Sequence, residues 1–258
     1  MITLVIARYN ENLKWLLNKK FSKYDIIVYN KGINNNYIHL SNMTSINIKN
    51  VGRCDHTYLY HIINNYHNLA DITIFLPGSC DMYYKMYKTH HLFNAINKHN
   101  KAIFLYDDKL NNVASDLYDF KMTIYRAAYN KNSLINPESI LDLAAIRPFG
   151  DWYKFKFNNI IIQHISYYGI FSIAKNDITQ KQLSYYIKLI RDLNFSSNPE
   201  AGHYIERSWE AIFYPMTETL ILPYTNINLY YKLISYTILI ICILLVILFI
   251  IIKKIKKF

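Results

Sequence analysis

The chain opens with residues 2–7, ITLVIA, followed directly by residues 8–11, RYNE. The first stretch is an apolar run of strand length with β-branched residues, and the second is a polar break of the kind that ends a buried strand. Leu13, Leu16 and Leu17 then indicate a helix. A strand, a polar loop and a helix in this order predict the first unit of an α/β fold.

The same alternation continues along the first half of the chain. Three further apolar runs, at residues 25–29, 72–76 and 102–105, predict strands. Residues 57–66 and 82–98 have the apolar periodicity of helices. Near-continuously apolar strands separated by helices favour a mostly parallel sheet with helices on both faces, a Rossmann-like α/β arrangement.

The second half of the chain carries further predicted elements. Residues 160–165 and 168–174 are strand-like, and residues 177–193 predict one helix that begins with an Asp-x-x-Gln capping pattern. The sequence Asn-Pro-Glu occurs at residues 136–138 and 198–200. Each copy places a capping Asn before a Pro at the first helical position, and so predicts the start of a helix.

The C-terminal region has the composition of a membrane anchor. Residues 233–252 contain no charged residue and no proline. Twenty helical residues at about 1.5 Å each span roughly 30 Å, the thickness of bilayer hydrocarbon. We therefore expect a head at 1–213, a Tyr-rich stalk at 214–232, a transmembrane helix at 233–252 and a basic tail at 253–258. A single span at this end predicts a tail-anchored, single-pass membrane protein with a cytosolic head, although the basic tail would favour the opposite orientation.

Charge and cysteine content limit the possible classes of protein. The formal net charge is +11, and five of the positive charges come from lysines at Lys232 and beyond. The modest basic bias that remains suits a diphosphate ligand or an anionic membrane surface. The head contains no block of like charges and no glycine–aromatic motif, so nucleic acid is not an expected partner. The three cysteines are too far apart to predict a disulfide framework or a zinc site.

Polar residues follow three of the predicted strands. Open parallel sheets bind ligands beyond the carboxyl ends of their strands, so we expect these residues to converge on one crevice. The alternative is that each strand simply ends in a polar turn. The candidates for nucleotide and phosphate binding at these ends are Arg8, Asn10, Glu11, Asn30 and Lys31.

The helix predicted after the second Asn-Pro-Glu carries His203, Glu206, Arg207 and Glu210. On a continuous helix this spacing places all four on one face. Glu206 or Glu210 is a candidate general base for an acceptor hydroxyl, and Arg207 is a candidate phosphate ligand. His203 is a candidate metal ligand, and Asp151, in a Gly-Asp-Trp turn, is a rival base. The alternative is a surface helix with salt bridges along it.

The opening strand, running into Tyr-Asn-Glu and then a helix, resembles the opening of inverting GT-A glycosyltransferases. That resemblance implies a nucleotide-sugar donor whose base or ribose contacts Asn10 and Glu11. It also implies Mn²⁺ or Mg²⁺ held against the diphosphate by two acids. The usual Asp-x-Asp is replaced here by Ser-Cys-Asp, which leaves Asp81 as one acid. Asp107 and Asp108 are a substitute pair of metal ligands, or else a solvated turn.

Four stretches of the chain follow a known pattern. They are residues 5–16 (VIARYNENLKWL), 50–66 with its Asn-Val-Gly-Arg start, 147–152 (RPFGDW) and 202–209 (GHYIERSW). Together they resemble the family called domain of unknown function 3431, over nearly all of the predicted head. The arrangement of that family is similar to GT-A glycosyltransferases, which implies sugar transfer by analogy. The resemblance also favours Arg53 as a phosphate ligand near a helix N-terminus, the alternative being a local salt bridge.

Two functions are compatible with these features. The first is a membrane-anchored, glycosyltransferase-like enzyme that moves a sugar from a nucleotide-sugar donor to a glycan or protein acceptor. Asp151 or Glu206 would be its base, and Arg53, Lys31 or Arg207 would stabilise the departing diphosphate. The second is a catalytically inactive, tail-anchored interaction protein that keeps the fold. The single acid in Ser-Cys-Asp motivates the second hypothesis.

Overall fold

The computed structural model of the protein describes residues 1–123 and 140–224, together with Thr237, Ile238 and Ile240. The chain divides into two compact units, Met1–Tyr224 and Thr225–Phe258. The helix start predicted at 136–138 and most of the predicted transmembrane segment lie outside the described residues. Among the residues that are described, no helix is long and apolar enough to cross a membrane.

The first unit is a mixed α/β structure. Its strands are, in chain order, β1 (Ile2–Arg8), β2 (Asp25–Asn30), β3 (Met43–Asn47), β4 (Ile72–Pro77), β5 (Ile103–Tyr106), β6 (Asp108–Lys109), β7 (His164–Ile165), β8 (Phe171–Ala174) and β9 (Leu220–Pro223). Its α-helices are α1 (Arg53–Asn65), α2 (Tyr83–His99), α3 (Val113–Asp116), α4 (Phe149–Phe157), α5 (Lys175–Thr179), α6 (Leu183–Ile190), α7 (Glu200–Glu206) and α8 (Trp209–Ile212). Short 3₁₀ helices span Lys14–Leu17, Lys19–Phe21 and Arg191–Leu193.

The central sheet has the strand order β3-β2-β1-β4-β8. Its first four strands are parallel, and β8 runs antiparallel to β4. A second pair, β5 and β9, is parallel, with Ile103 opposite Leu220. The hydroxyl of Ser172 in β8 accepts from the backbone N–H of Ile103 and donates to its carbonyl, which ties this pair to the central sheet. The predicted mostly parallel sheet is therefore confirmed.

Two apolar clusters lie on opposite faces of the sheet. Leu4 and Ile6 of β1 contribute to one cluster, and Val5 and Ala7 contribute to the other. Successive residues of a strand point to opposite faces, so a strand that is apolar throughout must be covered on both sides. This explains why the first strand shows no alternation of apolar and polar residues.

Several predicted boundaries change in the structure. The helix predicted around Leu13 is only the 3₁₀ turn Lys14–Leu17, and Leu13 itself has a φ of 57°. The strand predicted at 160–165 is reduced to the two residues of β7, and the helix predicted at 177–193 is divided into α5, α6 and a 3₁₀ turn. Strand β3 was not predicted, because four of its five residues are exposed and it lacks an apolar face.

The C-terminal end of the first unit includes residues that the sequence assigned to a stalk. Strand β9 lies within 214–232 and pairs with β5. The buried carboxylate of Asp177 accepts hydrogen bonds from the backbone N–H groups of Thr217, Glu218 and Thr219. The compact unit therefore continues to Tyr224 rather than stopping at residue 213.

Candidate functional site

The strand order of the central sheet reverses between β1 and β4. From β1 the chain moves outward to β2 and β3, and then returns to the other side of β1 as β4. In open α/β sheets, ligands bind in the crevice outside the carboxyl ends of the strands at such a topological switch point. Ligand binding is therefore expected at the residues that follow β1 and β4.

Glu11 and Gly78 meet at this switch point. A Cβ atom on Gly78 would lie 2.8 Å from Oε2 of Glu11, so only glycine lets the carboxylate come this close to the end of β4. The same oxygen accepts the backbone N–H of Tyr9 at 2.7 Å. Burial raises the pKa of Glu11, while the charge of Lys85 opposes that rise. Lys85 donates to Oγ of Ser79 at 2.7 Å, which keeps its ammonium group beside the end of β4.

The N-terminus of α1 lies at the same edge of the sheet. Gly52 precedes the helix with a φ of 58°, and a Cβ there would lie 2.6 Å from the Cβ atoms of His56 and Leu193. The Lys31 ammonium, just after β2, donates to the carbonyls of Val51 and Arg53. Burial lowers the pKa of Lys31 to about 7. The start of α1 is thus fixed beside the ends of β1 and β2.

Asp55, in the first turn of α1, is buried next to Glu206. Its Oδ1 accepts the indole N–H of Trp209 at 3.0 Å. Burial, and next the charge of Glu206, raises the pKa of Asp55 from 3.8 to about 7, while the charge of Arg53 opposes the rise. A buried carboxyl group whose pKa is raised beside a second carboxylate is a recurrent feature of acid–base sites.

Glu206 is the last residue of α7 and remains partly accessible. Its side chain is 24% exposed, and Oε1 accepts the backbone N–H of Tyr168 at 2.9 Å. The guanidinium of Arg207 lies 3.7 Å from Oε2, and it also packs 4.0 Å from the ring centroid of Phe120. Glu206 is therefore held by a backbone donor and a nearby cation while it keeps contact with solvent.

A second ion pair borders the same region. The fully buried ammonium of Lys88 donates to Oδ2 of Asp107 at 2.6 Å, to Oγ of Ser166 at 3.0 Å and to the carbonyl of Tyr167 at 2.8 Å. Burial lowers the pKa of Lys88, and the charges of Asp107 and Glu206 oppose that change. Lys88 thereby connects α2 to the end of β5 and to the loop before β8.

These residues form one continuous group of charges, which we call the carboxyl-edge cluster. Glu11 interacts electrostatically with Lys85, Asp55 with Arg53 and Glu206, and Lys88 with Glu206 and Asp107. The charges of Asp55, Lys85 and Arg53 all act on the thiol of Cys54, which joins these interactions into one group. Such an arrangement can bind phosphate through its cations and move a proton through its carboxylates. The cluster comprises Glu11, Arg53, Asp55, Lys85, Lys88, Asp107, Glu206 and Arg207.

Arg8 and Asn30 lie beneath this surface and hold a loop in place. The Arg8 side chain is 1% exposed and donates to the carbonyls of Tyr9, Glu11 and Asn34, while its guanidinium lies 4.0 Å from the centroid of Tyr37. Asn30 is buried and accepts from Arg8. The polar atoms of both side chains are thus used in contacts inside the protein, and their role in binding phosphate stays a prediction.

Asn10 is exposed and accepts the side-chain N–H of Asn34 at 2.9 Å. This bond connects the loop after β1, which contains Asn10, to the loop that follows β2. Among the nucleotide-binding candidates at the strand ends, Glu11 is the one whose side chain reaches the switch point through its contact with Gly78. Asn10 remains a candidate contact at the rim.

Two predicted bases have structural partners outside the cluster. Oδ1 of Asp151 accepts the hydroxyl of Tyr118 at 2.6 Å. Oε2 of Glu210 accepts the backbone N–H groups of Gln163 and His164, and Oε1 contacts Nδ1 of His164 at 3.0 Å. Glu210 therefore ties α8 to β7. It does not share a helix with Glu206, because α7 ends there and α8 begins at Trp209.

The predicted metal ligands do not form one ligand set. Asp81 and Asp108 are exposed, and Asp107 pairs with Lys88. Burial, followed by the charges of Arg53 and Arg207, lowers the pKa of His203 to about 3. Over residues 1–123 and 140–224 there is no group of three or more His, Cys, Asp or Glu side chains that could hold a metal ion.

Two surface cavities lie away from the cluster. One, of about 400 Å³, is lined by residues 157–161 and Tyr214. The other, of about 280 Å³, is lined by residues that include Trp152, Phe155, Asp192 and Phe195. The indole N–H of Trp152 donates to Oδ2 of Asp192 at 2.9 Å, so this tryptophan is a core residue at a cavity wall.

Sequence reasoning missed the importance of Asp55, Lys85, Lys88 and Tyr168. Asp55 was considered only as a salt-bridge partner for Arg53. Lys85 and Lys88 are one turn apart at the start of α2, directly after the end of β4, and that position was an available signal. No feature of the local sequence predicts a functional role for Tyr168, because its contact with Glu206 joins segments that are distant in the chain.

Fold and site together define an α/β protein with a group of charged residues at the carboxyl edge of a mostly parallel sheet. The family model described as "Protein of unknown function (DUF3431)" matches residues 4–224. The chain therefore belongs to that family, and the match ends at the last residue of the first compact unit. No curated protein and no solved structure matches the chain.

Proposed function

We propose that the protein is a membrane-anchored, glycosyltransferase-like enzyme that uses a nucleotide-sugar donor. The observation that carries the proposal is the meeting of Glu11, Gly78 and Lys85 at the switch point between β1 and β4. This is the position at which sheets of this kind bind nucleotides. The uncharged segment at 233–252 supports attachment to a membrane.

The donor diphosphate would lie between the end of β4 and the start of α1. Lys85 and Arg53 supply positive charge there, and the N-terminus of α1 contributes the partial positive charge of its backbone N–H groups. Glu11 would accept hydrogen bonds from the ribose or the base. Lysine and arginine can neutralise a departing diphosphate, so the proposal does not depend on Mn²⁺ or Mg²⁺.

Glu206 would act as the general base on the acceptor. It takes the proton of an acceptor hydroxyl, the oxygen attacks the anomeric carbon, and the bond from that carbon to the diphosphate breaks. Asp55 is protonated up to about neutral pH and does not add a second full charge beside the base. Arg207, 3.7 Å from Glu206, limits the movement of the carboxylate.

Binding of the donor can be tested by thermal shift on the full-length chain with a panel of nucleotide sugars, with and without Mn²⁺. We expect at least one of them to raise the melting temperature, because a ligand that binds only the folded state stabilises it. Lys85→Ala should remove the shift. Lys98→Ala, on the exposed last turn of the same helix, should keep it.

The second candidate function is a catalytically inactive, tail-anchored interaction protein. Its motivation is the stretch Ser-Cys-Asp, which leaves Asp81 as one acid where the resembled enzymes have Asp-x-Asp. It predicts that Glu206→Gln leaves the cellular role intact and that deletion of residues 233–258 abolishes it. If no nucleotide sugar stabilises a well-folded protein, this second function replaces the first.

A further inference from the structure

Two tyrosines form an accessible aromatic surface beside Glu206. The ring centroids of Tyr84, in the first turn of α2, and Tyr168, in the loop before β8, are 5.0 Å apart with an interplanar angle of 56°. Tyr168 is 40% exposed, and Tyr84 is partly exposed. Tyrosine offers an apolar ring face and a polar hydroxyl at low entropic cost, a combination that suits ligands which are apolar on one side and polar at the edges.

The backbone of Tyr168 is fixed in a conformation that tyrosine rarely adopts. Its φ is 68°, and the φ of the next residue, Gly169, is 63°. The N–H of Tyr168 donates to Glu206, and the carbonyl of Gly169 accepts the hydroxyl of Tyr58 at 2.8 Å. Asparagine or glycine would fit this backbone with less strain. A large, accessible ring kept at such a position, next to a candidate base, indicates that the ring contacts a ligand.

The charges around the ring favour an uncharged ligand. The ammonium of Lys88 lies 5.9 Å from the centroid of Tyr168, but it is already paired with Asp107. Burial raises the pKa of Tyr168, and the charges of Asp107, Glu206 and Asp108 raise it further. The tyrosine hydroxyl therefore stays neutral. Lys85, 5.9 Å from the centroid of the Tyr84 ring, is assigned to the donor diphosphate, so the acceptor would meet the carboxylate of Glu206 rather than a cation.

We propose that Tyr84 and Tyr168 form a platform that stacks on an uncharged hexose ring of the acceptor and presents one of its hydroxyls to Glu206. This inference rests on the proposed function, since it assigns the acceptor class to the same site. The ring faces supply the apolar contact with the C–H groups of the sugar. The carboxylate of Glu206, which bonds the backbone of Tyr168, then lies next to the hydroxyls at the edge of that sugar.

The test is binding of the full-length chain to an array of immobilised neutral and anionic oligosaccharides, in a detergent without a sugar headgroup and without nucleotide sugar. We expect saturable binding to neutral oligosaccharides. Tyr168→Asn should weaken it by about tenfold or more, the loss expected for one stacking ring. Tyr168→Phe, which keeps the ring, should retain most of it. Phe155→Ala, an exposed aromatic on α4, is the matched control and should leave binding unchanged.

Loss of folding cannot imitate the expected result, because asparagine suits the backbone of residue 168 and the variant should unfold at the wild-type temperature or above it. Binding by Tyr168→Asn at wild-type strength would overturn the platform, and so would binding confined to anionic glycans. Donor binding in the thermal-shift panel is a separate readout. A shift with nucleotide sugars but no glycan binding overturns this inference alone, and glycan binding without any donor shift overturns the proposed transfer reaction alone.

Discussion

Asp55 and Lys31 are both buried at the carboxyl edge of the sheet, and burial shifts their pKa values in opposite directions. The carboxyl group of Asp55 titrates about neutral pH instead of near 3.8, and the ammonium of Lys31 titrates near 7 instead of 10.5. In both cases the folded state favours the neutral form. Asp55 and Lys31 therefore contribute with opposite signs to the pH dependence of the free energy of unfolding.

For Asp55, the folded state binds more protons than the unfolded chain between about pH 4 and pH 7. The contribution of Asp55 to the free energy of unfolding then falls as pH rises through that window. Asp55→Asn can still accept the Trp209 N–H, but it does not titrate. It should therefore remove a decrease in the free energy of unfolding on the order of a few kcal/mol across this window, since one pKa unit is about 1.4 kcal/mol. Urea unfolding of both proteins at pH 4–7 measures the difference. If the free energies of unfolding of the two proteins changed with pH in parallel, the raised pKa of Asp55 would be contradicted.

For Lys31, the unfolded chain binds more protons between about pH 7 and pH 10.5, so the contribution of this residue to stability rises with pH. Lys31→Met removes that rise and also leaves the carbonyls of Val51 and Arg53 without its hydrogen bonds. We expect a loss of about 1–3 kcal/mol at pH 7, which grows towards pH 9.5. Lys19→Met, at an exposed site, is the control in the same chemical denaturation series. A loss that shrinks with pH would count against the buried, neutral lysine.

At the scale of secondary-structure elements, apolar patterns predicted most of the structure that is buried. Strands β1, β2 and β4 lie where apolar runs placed them, because each run covers both faces of the sheet. The helix predicted at 177–193 is broken for a tertiary reason. The hydroxyl of Tyr66 bonds to the carbonyls of Thr179 and Lys181, and Gln180 donates to the carbonyls of Phe213 and Pro215. Such bonds join distant segments, so the local sequence gives no signal of the break.

The hydrogen bonds that connect α8 to β7 can be tested by substitution of Glu210. Glu210→Ala leaves the backbone N–H groups of Gln163 and His164 without their acceptor. Both hydrogen bonds are partly buried and their loss is costly, so we expect a destabilisation of about 1–3 kcal/mol in equilibrium unfolding. Glu206→Gln should change stability by less than about 1 kcal/mol, because that side chain is partly exposed. Equal effects of the two changes would show that Glu210 is not the structural residue of the pair.

At the scale of the whole molecule, the rule that ligands bind beyond the carboxyl ends of parallel strands predicted part of the candidate site. It predicted Glu11 at the carboxyl edge of the sheet, because parallel strands all end there. Arg53 was instead favoured by the family resemblance and by its place near a helix N-terminus. In the α7–α8 region, Ile205, Trp209 and Phe213 are fully buried. Asp55 and Tyr168 were not predicted as site residues, because their roles come from contacts with Glu206 that only the folded chain creates.

The boundary of the first unit is testable by truncation. A chain of residues 1–224 keeps β9 against β5 and keeps the N–H groups that bond Asp177. A chain of residues 1–213 loses both and leaves a buried carboxylate without these donors. We expect cooperative thermal unfolding by circular dichroism for the longer chain and none for the shorter one. Equal cooperativity would place the boundary at residue 213 after all.

The central claim is that the carboxyl-edge cluster binds the diphosphate of a nucleotide-sugar donor. The most direct measurement is a crystal structure of the chain with uridine diphosphate. The phosphates should lie between the end of β4 and the start of α1, within hydrogen-bonding distance of Lys85 and Arg53, with Glu11 facing the nucleoside. Nucleotide density in the 280 Å³ cavity beside Trp152, or none at saturating concentration, would contradict the claim.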